Sequence, residues 1–411
     1  MPSEPELAFV WIWLPGASEP VIAGRLDRGD AGIISFTYGQ SYLARENAIP
    51  IYLPELPLQR GPIEPVAQDI AGCIADAAPD SWGQRVILNE IVGADALDTA
   101  DLGILTYLLE SGSDRTGALD FQTSASDYVP RHTEEAPLDE LARSTDLVEK
   151  GIPLSPGLSR ALLHGSSLGG ARPKALIRDG ERQMIAKFSR DADRYPVVKG
   201  EFIAMRLAAR AGLNVAPVKL AIAAEKDVLL VERFDRRGEG DRLAMVSALT
   251  ILGLGEIGVT EGSYAQLAHV IRARFSDPVA TLRELFARIT FNILCSNTDD
   301  HARNHAALWD GEQLTLTPAF DICPQPRSGG EAAQLMAIGD DGYRLSQLTG
   351  CVARAGTYLL SASEARGIID TQIEVINEGW EQVCEEAQLS QVDRAAFRER
   401  QFLNPYSMQG Y

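Results

Sequence analysis

One segment, Phe291–His305 (FNILCSNTDDHARNH), limits the fold of this chain more than any other. Just upstream, Leu282, Leu285, Phe286, Ile289 and Ile293 recur at the three- and four-residue spacing of one helix face. Asp277 is placed to cap that helix and Pro278 suits its first turn. A helix this apolar belongs in a core. It breaks at Ser296-Asn297 into Asp299, Asp300, His301, Arg303 and Asn304. Such a cluster straight after a buried helix is unfavourable unless it opens into a cleft. The chain must therefore fold around a polar cleft floored by an apolar helix.

Asp299 and Asn304 stand five residues apart, the separation of the aspartate and asparagine in a protein-kinase catalytic loop. The chemistry accounts for the spacing. A carboxylate takes the proton of the acceptor hydroxyl while an amide oxygen, one short turn later, ligates Mg²⁺. Seventeen residues on, Asp321 follows Leu316-Thr317-Pro318-Ala319-Phe320 and suits the second metal-binding carboxylate. Any one of these aspartates alone reads as a helix cap or a solvated loop residue. Their order together points to ATP-dependent phosphoryl transfer.

A nucleotide end is expected upstream. His164–Lys174 (HGSSLGGARPK) is a glycine-rich loop entering a strand. Gly169-Gly170, followed by Ala171, Arg172 and Pro173, lets the backbone approach phosphates, and Lys174 adds charge. The loop matches neither GxxxxGK[ST] nor GxGxxG, so alone it is weak evidence. Lys187 stands in the apolar strand Met184–Phe188, where a cation needs an anion. ATP phosphates and Glu201 on the next helix supply one; the alternative is a strand-edge lysine reaching water. Leu229–Asp235 (LLVERFD) closes a strand at the position of a kinase hinge, where the main chain of Glu232, Arg233 and Phe234 meets adenine.

The rest of the chain frames these sites. Apolar–polar alternation over residues 8–38, broken by Pro15-Gly16 and Asp27–Gly32, predicts a small antiparallel sheet. A helical pattern is expected from Pro65 to Val92 with Val66, Ile70, Cys73 and Ile74 on one face. Helix over Asp101–Leu109 and a short strand at Thr116–Gln122 follow. Further strands are expected at Leu176–Ile177, Met184–Phe188, Val218–Ala223 and Val228–Glu232, with a helix over Val198–Ala211 ended by Gly212. Beyond residue 247 helices dominate. The expected class is α+β: a two-lobed protein-kinase-like fold behind an N-terminal α+β subdomain. The subdomain is placed in 1–125, a polar connector with a short helix in 126–156, a small sheet lobe in 157–246 and a helical lobe in 247–411.

Composition narrows the partners. The chain has 411 residues, with 57 acidic against 38 basic side chains and a net charge of −19. Phosphate contacts to DNA are unfavourable for such a chain alone, so a role at DNA needs a basic partner. No apolar run reaches the ~18 residues of a membrane helix, and the start MPSEPELAF lacks a signal pattern. A cytoplasmic protein without membrane association is expected. Cys73, Cys295, Cys323, Cys351 and Cys384 show no CxxC spacing and read as buried reduced thiols.

Taken in order, SSLGGARPKA, AKF, VERFDR, NTDDHARNH and LTPAFDI resemble the blocks of HipA-type kinases, toxins of bacterial type II toxin–antitoxin pairs. Ala77–Gly83 (AAPDSWG) is similar to that family's first-domain motif, and the resemblance covers nearly the whole chain. It implies ATP and Mg²⁺ as cofactors and Asp299 as catalytic base. It implies His301 and Asn304 as catalytic-loop contacts to nucleotide and metal, Asp321 as the second Mg²⁺ ligand and Lys187 as the phosphate-binding lysine. Gly169–Lys174 becomes the ATP-facing loop and Glu232–Phe234 the hinge. Autophosphorylation is implied at Ser167, with Ser166 beside it as the second candidate, ejecting the loop and silencing the enzyme. Arg172-Pro173 stands where some members have Gln-Glu, and proline stiffens the loop.

Family members phosphorylate a serine of an aminoacyl-tRNA synthetase, often glutamyl-tRNA synthetase. They are neutralised by a small helix-turn-helix antitoxin of the HipB type that binds operator DNA. The resemblance thus implies a serine/threonine kinase toxin with those partners, reaching DNA only through the antitoxin. Two other readings stay open from the residues. One is a catalytically weak subunit serving mainly as an antitoxin-bound corepressor; the other is a kinase of a small-molecule or lipid hydroxyl.

Overall fold

A computed structural model describes residues 4–411 except 31, 92–101, 132–135, 164–171, 239, 256–257, 259, 328–329 and 399. Its internal contacts divide the chain into two units. The first is Met1–Arg190 with Ile222–Val246 and Leu308–Glu312; the second is Asp191–Ala221 with Ser247–Ala307 and Gln313–Tyr411.

The first unit opens with β1 (Leu7–Ile12), β2 (Val21–Arg28), β3 (Ile34–Tyr38), β4 (Pro62–Ile63) and β5 (Leu119–Gln122), in spatial order β4-β3-β2-β1-β5. Every neighbouring pair is antiparallel, as the alternation predicts. Gly16 makes the turn after β1 with φ +75°, a conformation that favours glycine. Helices α1 (Gln40–Leu43), α2 (Gly72–Ala75), α3 (Ser81–Ile91), α4 (Ile104–Glu110), α5 (Leu138–Glu149) and α6 (Pro156–Leu163) complete this part.

The helix expected from Pro65 is shorter and split. Residues 65–71 are not helical, Ala67 sits at φ +59°, and Val66 is 87% exposed, away from the buried Ile70, Cys73 and Ile74. α2 starts only where the Glu55 carboxylate accepts from the Gly72 and Cys73 N–H groups, at 3.1 and 2.8 Å. Pro79 then interrupts the run before Asp80, whose carboxylate accepts from Gly83 N–H (2.8 Å) at the head of α3. Capping and proline override the apolar period here.

A second sheet of this unit holds β6 (Lys174–Asp179) and β7 (Arg182–Phe188), antiparallel about Gly180 at φ +65°. The chain leaves the unit after Arg190 and re-enters within β8 (Val218–Ala223). It continues into β9 (Lys226–Glu232), which pairs antiparallel with β7.

The second unit is mostly helical: α7 (Val197–Arg210), α8 (Ala248–Ile251), α9 (Tyr264–Arg274), α10 (Pro278–Leu294), α11 (Leu348–Ala353) and α12 (Ala362–Glu386). α10 is its centre, with Leu282, Leu285, Phe286, Ile289 and Ile293 buried and α9 and α12 packed on it. Each such side chain contributes roughly 1.5–3 kcal/mol by leaving water, which makes α10 a rigid floor. All five cysteines are free; four are buried and Cys323 is half-buried. Among the described residues no helix is long and apolar enough to cross a membrane.

Candidate active site

The loop after α10 is held by hydrogen bonds at both ends and from two later segments of the chain. Asp277 caps the start of α10 by accepting from Ala280 N–H (3.1 Å), with Pro278 behind it. At the other end the chain turns sharply: Ser296 takes φ +55°, a region costly for a residue with a side chain. Asn297 pays for that turn twice, donating from its N–H to Asn292 O (2.8 Å) and from its side-chain amide to Asn292 Oδ1 (3.1 Å). Gln325 N–H donates to Ser296 O (3.0 Å) and Leu335 N–H to Thr298 O (3.2 Å).

Asp300 then turns inward. Its carboxylate is buried and accepts from the Tyr264 hydroxyl of α9, and its Oδ2 lies 2.7 Å from His305 Nε2. Burial pushes this carboxyl up, but the His305 charge and the His305 and Tyr264 hydrogen bonds outweigh it and hold Asp300 below the ordinary aspartate value. Residues 300 and 305 are thus clasped across a 3₁₀ turn, Ala302–Asn304, in which Asn304 N–H donates to His301 O (2.9 Å). The clasp fixes the neighbours of both ends. Asp299 is left facing solvent and Asn304 packs within the turn.

Asp321 arrives from the strand Leu314–Leu316 through a braced segment. Arg288 on α10, paired with Glu284 (2.8 Å), donates to Thr317 O (2.8 Å) and Asn214 O (3.2 Å). Ala319 N–H donates to Asn214 O (2.7 Å), and Ala216 N–H donates to Ala319 O (2.9 Å). Asp321 itself takes φ +58°. It stands near enough to Asp299 to act on its charge. Partial desolvation pushes the Asp299 carboxyl up, Asp321 and Asp300 push it further, and His301 pulls against them. The Nδ1 atom of His301 is buried without a hydrogen-bond partner. Asp299, His301, Asn304 and Asp321, read from the motif, therefore gather in one unit. Arg288, Tyr264 and His305 were not singled out from sequence, because a brace has no motif of its own.

Asp300→Ala leaves the His305 ring and the Tyr264 hydroxyl buried without their acceptor. A loss of about 3 kcal/mol in unfolding free energy is expected, read by urea denaturation. Because the Asp300 carboxyl is depressed in the folded state, its contribution is full at neutral pH and fades as the pH falls below the ordinary aspartate value. The gap between wild type and variant should narrow in acid; an unchanged gap at low pH counts against the clasp.

The nucleotide-end residues lie in the first unit. Ser166, Ser167, Gly169, Gly170 and Ala171 fall outside the described residues. Arg172 is half-buried, and Pro173 O accepts from Phe188 N–H (3.0 Å). Lys174 and Lys187 are direct cross-strand partners on β6 and β7, and Lys174 is buried in an ion pair with Asp80. Glu201 is buried on α7, in the second unit. Glu232 pairs with Arg182 at 3.0 Å. Arg233 is fully enclosed: its N–H donates to Gln183 O (2.9 Å) and its guanidinium reaches Asp114, Asp235, Gln183 and the Arg115 carbonyl.

Two family models match the chain: the HipA N-terminal domain over residues 16–122 and the HipA-like C-terminal domain over residues 166–380. A putative kinase, Y4mE of Sinorhizobium fredii, is 28% identical over 339 residues, covering 76% of each chain. The serine/threonine-protein kinase toxin HipA of Shewanella oneidensis is 30% identical over 165 residues, 35% of this chain and 38% of that one. A solved complex of Shewanella oneidensis HipA, HipB and operator DNA contains a chain with the same fold. Its TM-score is 0.67 at 19% identity, over 97% of this chain and 99% of that one.

Proposed function

The chain belongs to the HipA-like kinase family, and from that premise we propose that it is an ATP- and Mg²⁺-dependent serine/threonine kinase acting as a toxin. One observation carries the reading: the Asp300–His305 clasp presents Asp299 to solvent beside the Asp321 carboxylate, with Asn304 in the same turn.

A Mg²⁺-bound nucleotide suits the residues present. Asp321 and Asn304 offer hard oxygen donors, and the Asp299 and Asp321 charges oppose each other, which a divalent cation relieves. Among the described residues no group of three or more His, Cys, Asp or Glu side chains is arranged for a metal. Two carboxylates and an amide are enough for Mg²⁺, which keeps several waters. Bound Mg²⁺–ATP supplies the transferable phosphoryl group and neutralises charge as it moves. Asp299 accepts the proton of the acceptor hydroxyl as that oxygen bonds to the γ-phosphorus and the bond to ADP breaks. His301, with its unpartnered Nδ1, binds nucleotide. Lys187 meets the phosphates, the Gly169–Pro173 part of the glycine-rich segment covers them while Lys174 is held by Asp80, and the main chain of Glu232–Phe234 receives adenine.

The protein substrate is an aminoacyl-tRNA synthetase, with glutamyl-tRNA synthetase the first to test. A basic helix-turn-helix antitoxin of the HipB type brings the acidic chain to DNA, and the setting is cytoplasmic. The HipB- and operator-bound state of the Shewanella HipA chain supports the partner assignment.

Autophosphorylation at Ser167 adds roughly −1.5 to −2 charges that oppose the γ-phosphate the segment covers, so modification silences the enzyme. Incubation with [γ-³²P]ATP and host lysate tests these assignments together. Label is expected on the chain itself and on one lysate protein, with mass spectrometry placing phosphate on Ser167 and, as the lesser outcome, Ser166. Ser167→Ala should stay active. No label at all sinks the kinase reading, and label confined to small molecules sinks the protein-kinase reading. An active kinase without phosphate on either serine removes the self-silencing step alone.

A further inference from the structure

Lys174 and Lys187 face each other directly across β6 and β7, so their side chains leave the sheet on the same side. Like charges opposite one another on a sheet repel, and Lys174 is only 2% exposed, with little water to screen it. Its counter-charge comes from far away in sequence. Asp80, on the AAPDSWG segment, is 6% exposed and forms an ion pair with the Lys174 ammonium. Two residues on, Trp82 Nε1 donates to the Lys174 carbonyl (3.1 Å), so the same segment grips both the side chain and the main chain of one residue. Asp80 also accepts from Gly83 N–H (2.8 Å), which ties the grip to the head of α3. Burial holds the Asp80 carboxyl above the ordinary aspartate value even though Lys174 and the N–H groups at the head of α3 pull it down, so its charge depends on its partner.

Lys174 begins β6, immediately after the glycine-rich segment. We propose that Asp80 and Trp82 are positioning residues that anchor the start of β6 and neutralise Lys174 beside Lys187, so that the N-terminal part of the chain sets nucleotide affinity. Lys174 then serves as the anchor point and Lys187 carries the phosphate contact. The inference deepens the kinase reading and rests on it.

The test uses the full chain and three variants, with ATP KM, kcat and melting temperature as readouts. Asp80→Asn keeps a helix-capping side chain but removes the charge. ATP KM should rise about ten-fold, with kcat within about three-fold of wild type, roughly 1.4 kcal/mol of ground-state binding. Trp82→Phe keeps an aromatic ring but removes the donor to the Lys174 carbonyl and part of the buried indole; KM should rise about three-fold, with a lowered melting temperature but a folded chain. Should Asp80→Asn fail to fold, Trp82→Phe still decides the matter. Asp80→Asn combined with Lys174→Met removes both charges and should return KM to within about three-fold of wild type. A merely structural role gives no such KM-specific rescue.

An Asp80→Asn chain that folds with wild-type KM, a Trp82→Phe chain with wild-type KM, or a double variant worse than the single overturns the proposal. An unaltered chain that binds no ATP sinks the kinase reading and this one with it. An unaltered chain that binds ATP normally while the variants leave KM unmoved sinks this one alone.

Discussion

Asp299→Asn is expected to lower phosphoryl transfer by about 10³-fold while leaving Mg²⁺-ATP affinity within about three-fold of wild type. The substitution preserves shape and removes only the proton acceptor. The loop should survive it, because the loop is held by Asp300 through His305 and Tyr264, and not by Asp299, which faces solvent. The wild-type carboxyl is raised by partial desolvation and by Asp321 and Asp300, and His301 only partly offsets this. A raised carboxyl is a stronger base at neutral pH, which suits proton acceptance. Transfer assayed alongside nucleotide binding separates chemistry from affinity. Near-wild-type transfer by the variant would falsify the assignment of Asp299; loss of nucleotide binding with a normal fold would move its role to the nucleotide.

Arg233→Met is expected to destabilise the protein by about 3–5 kcal/mol, because it strips a buried ion network of its central cation. The guanidinium donates to Asp114 Oδ1 (2.9 Å), to Asp235 Oδ1 (2.9 Å) and Oδ2 (2.8 Å), and to Arg115 O (2.8 Å), with Gln183 Oε1 at 3.5 Å. Its N–H donors are thereby used within the first unit. Without Arg233, Arg236 still faces Asp114 and Asp235, at 2.8 and 2.9 Å, and the Arg242 charge still acts on Asp114. Gly117 N–H also donates to Asp235 Oδ2 (2.8 Å), so strain should reach the segment before β5.

The pH dependence of this loss follows from Asp235. Burial pushes its carboxyl up, but Arg233 and Arg236 outweigh burial and bring it from 3.8 down to about 2. That depression corresponds to about 2 kcal/mol of stability, complete above the unfolded value and lost as the pH falls from about 4 towards about 2. Urea unfolding across that window should show wild type losing the contribution and Arg233→Met losing much less. Unfolding midpoints that coincide at neutral pH would refute the network's role.

Much of the site was legible because its chemistry needs particular residue types at close spacing. Asp299, His301 and Asn304 lie within one turn, so covalent continuity already brings them together, and Asp321 follows a short strand. α10 was readable for a similar reason: an apolar period with an Asp-Pro start is a local signal, and the structure places each of those apolar residues in the core. The Pro65–Val92 segment shows the limit. Its apolar spacing was real, but the Glu55 carboxylate and the prolines decided where helix begins, and Val66 ended up in solvent.

What the sequence determined by itself is the apolar helix α10, the polar loop after it, Asp321 beyond a short strand, most strands of the β1–β5 and β6–β9 sheets, and the family. Each of these is written in residues close along the chain, where spacing alone imposes geometry. Only the tertiary structure decided which charge answers which. Lys174 lies 94 residues from Asp80, and Arg233 lies 119 from Asp114. From sequence, Lys174 read as added charge for a phosphate and Arg233 only through its main chain, so neither called for an anion from the protein. The fold supplies it internally, because removing a charge from water is tolerable only beside its opposite, and that partner is chosen by packing rather than by sequence distance.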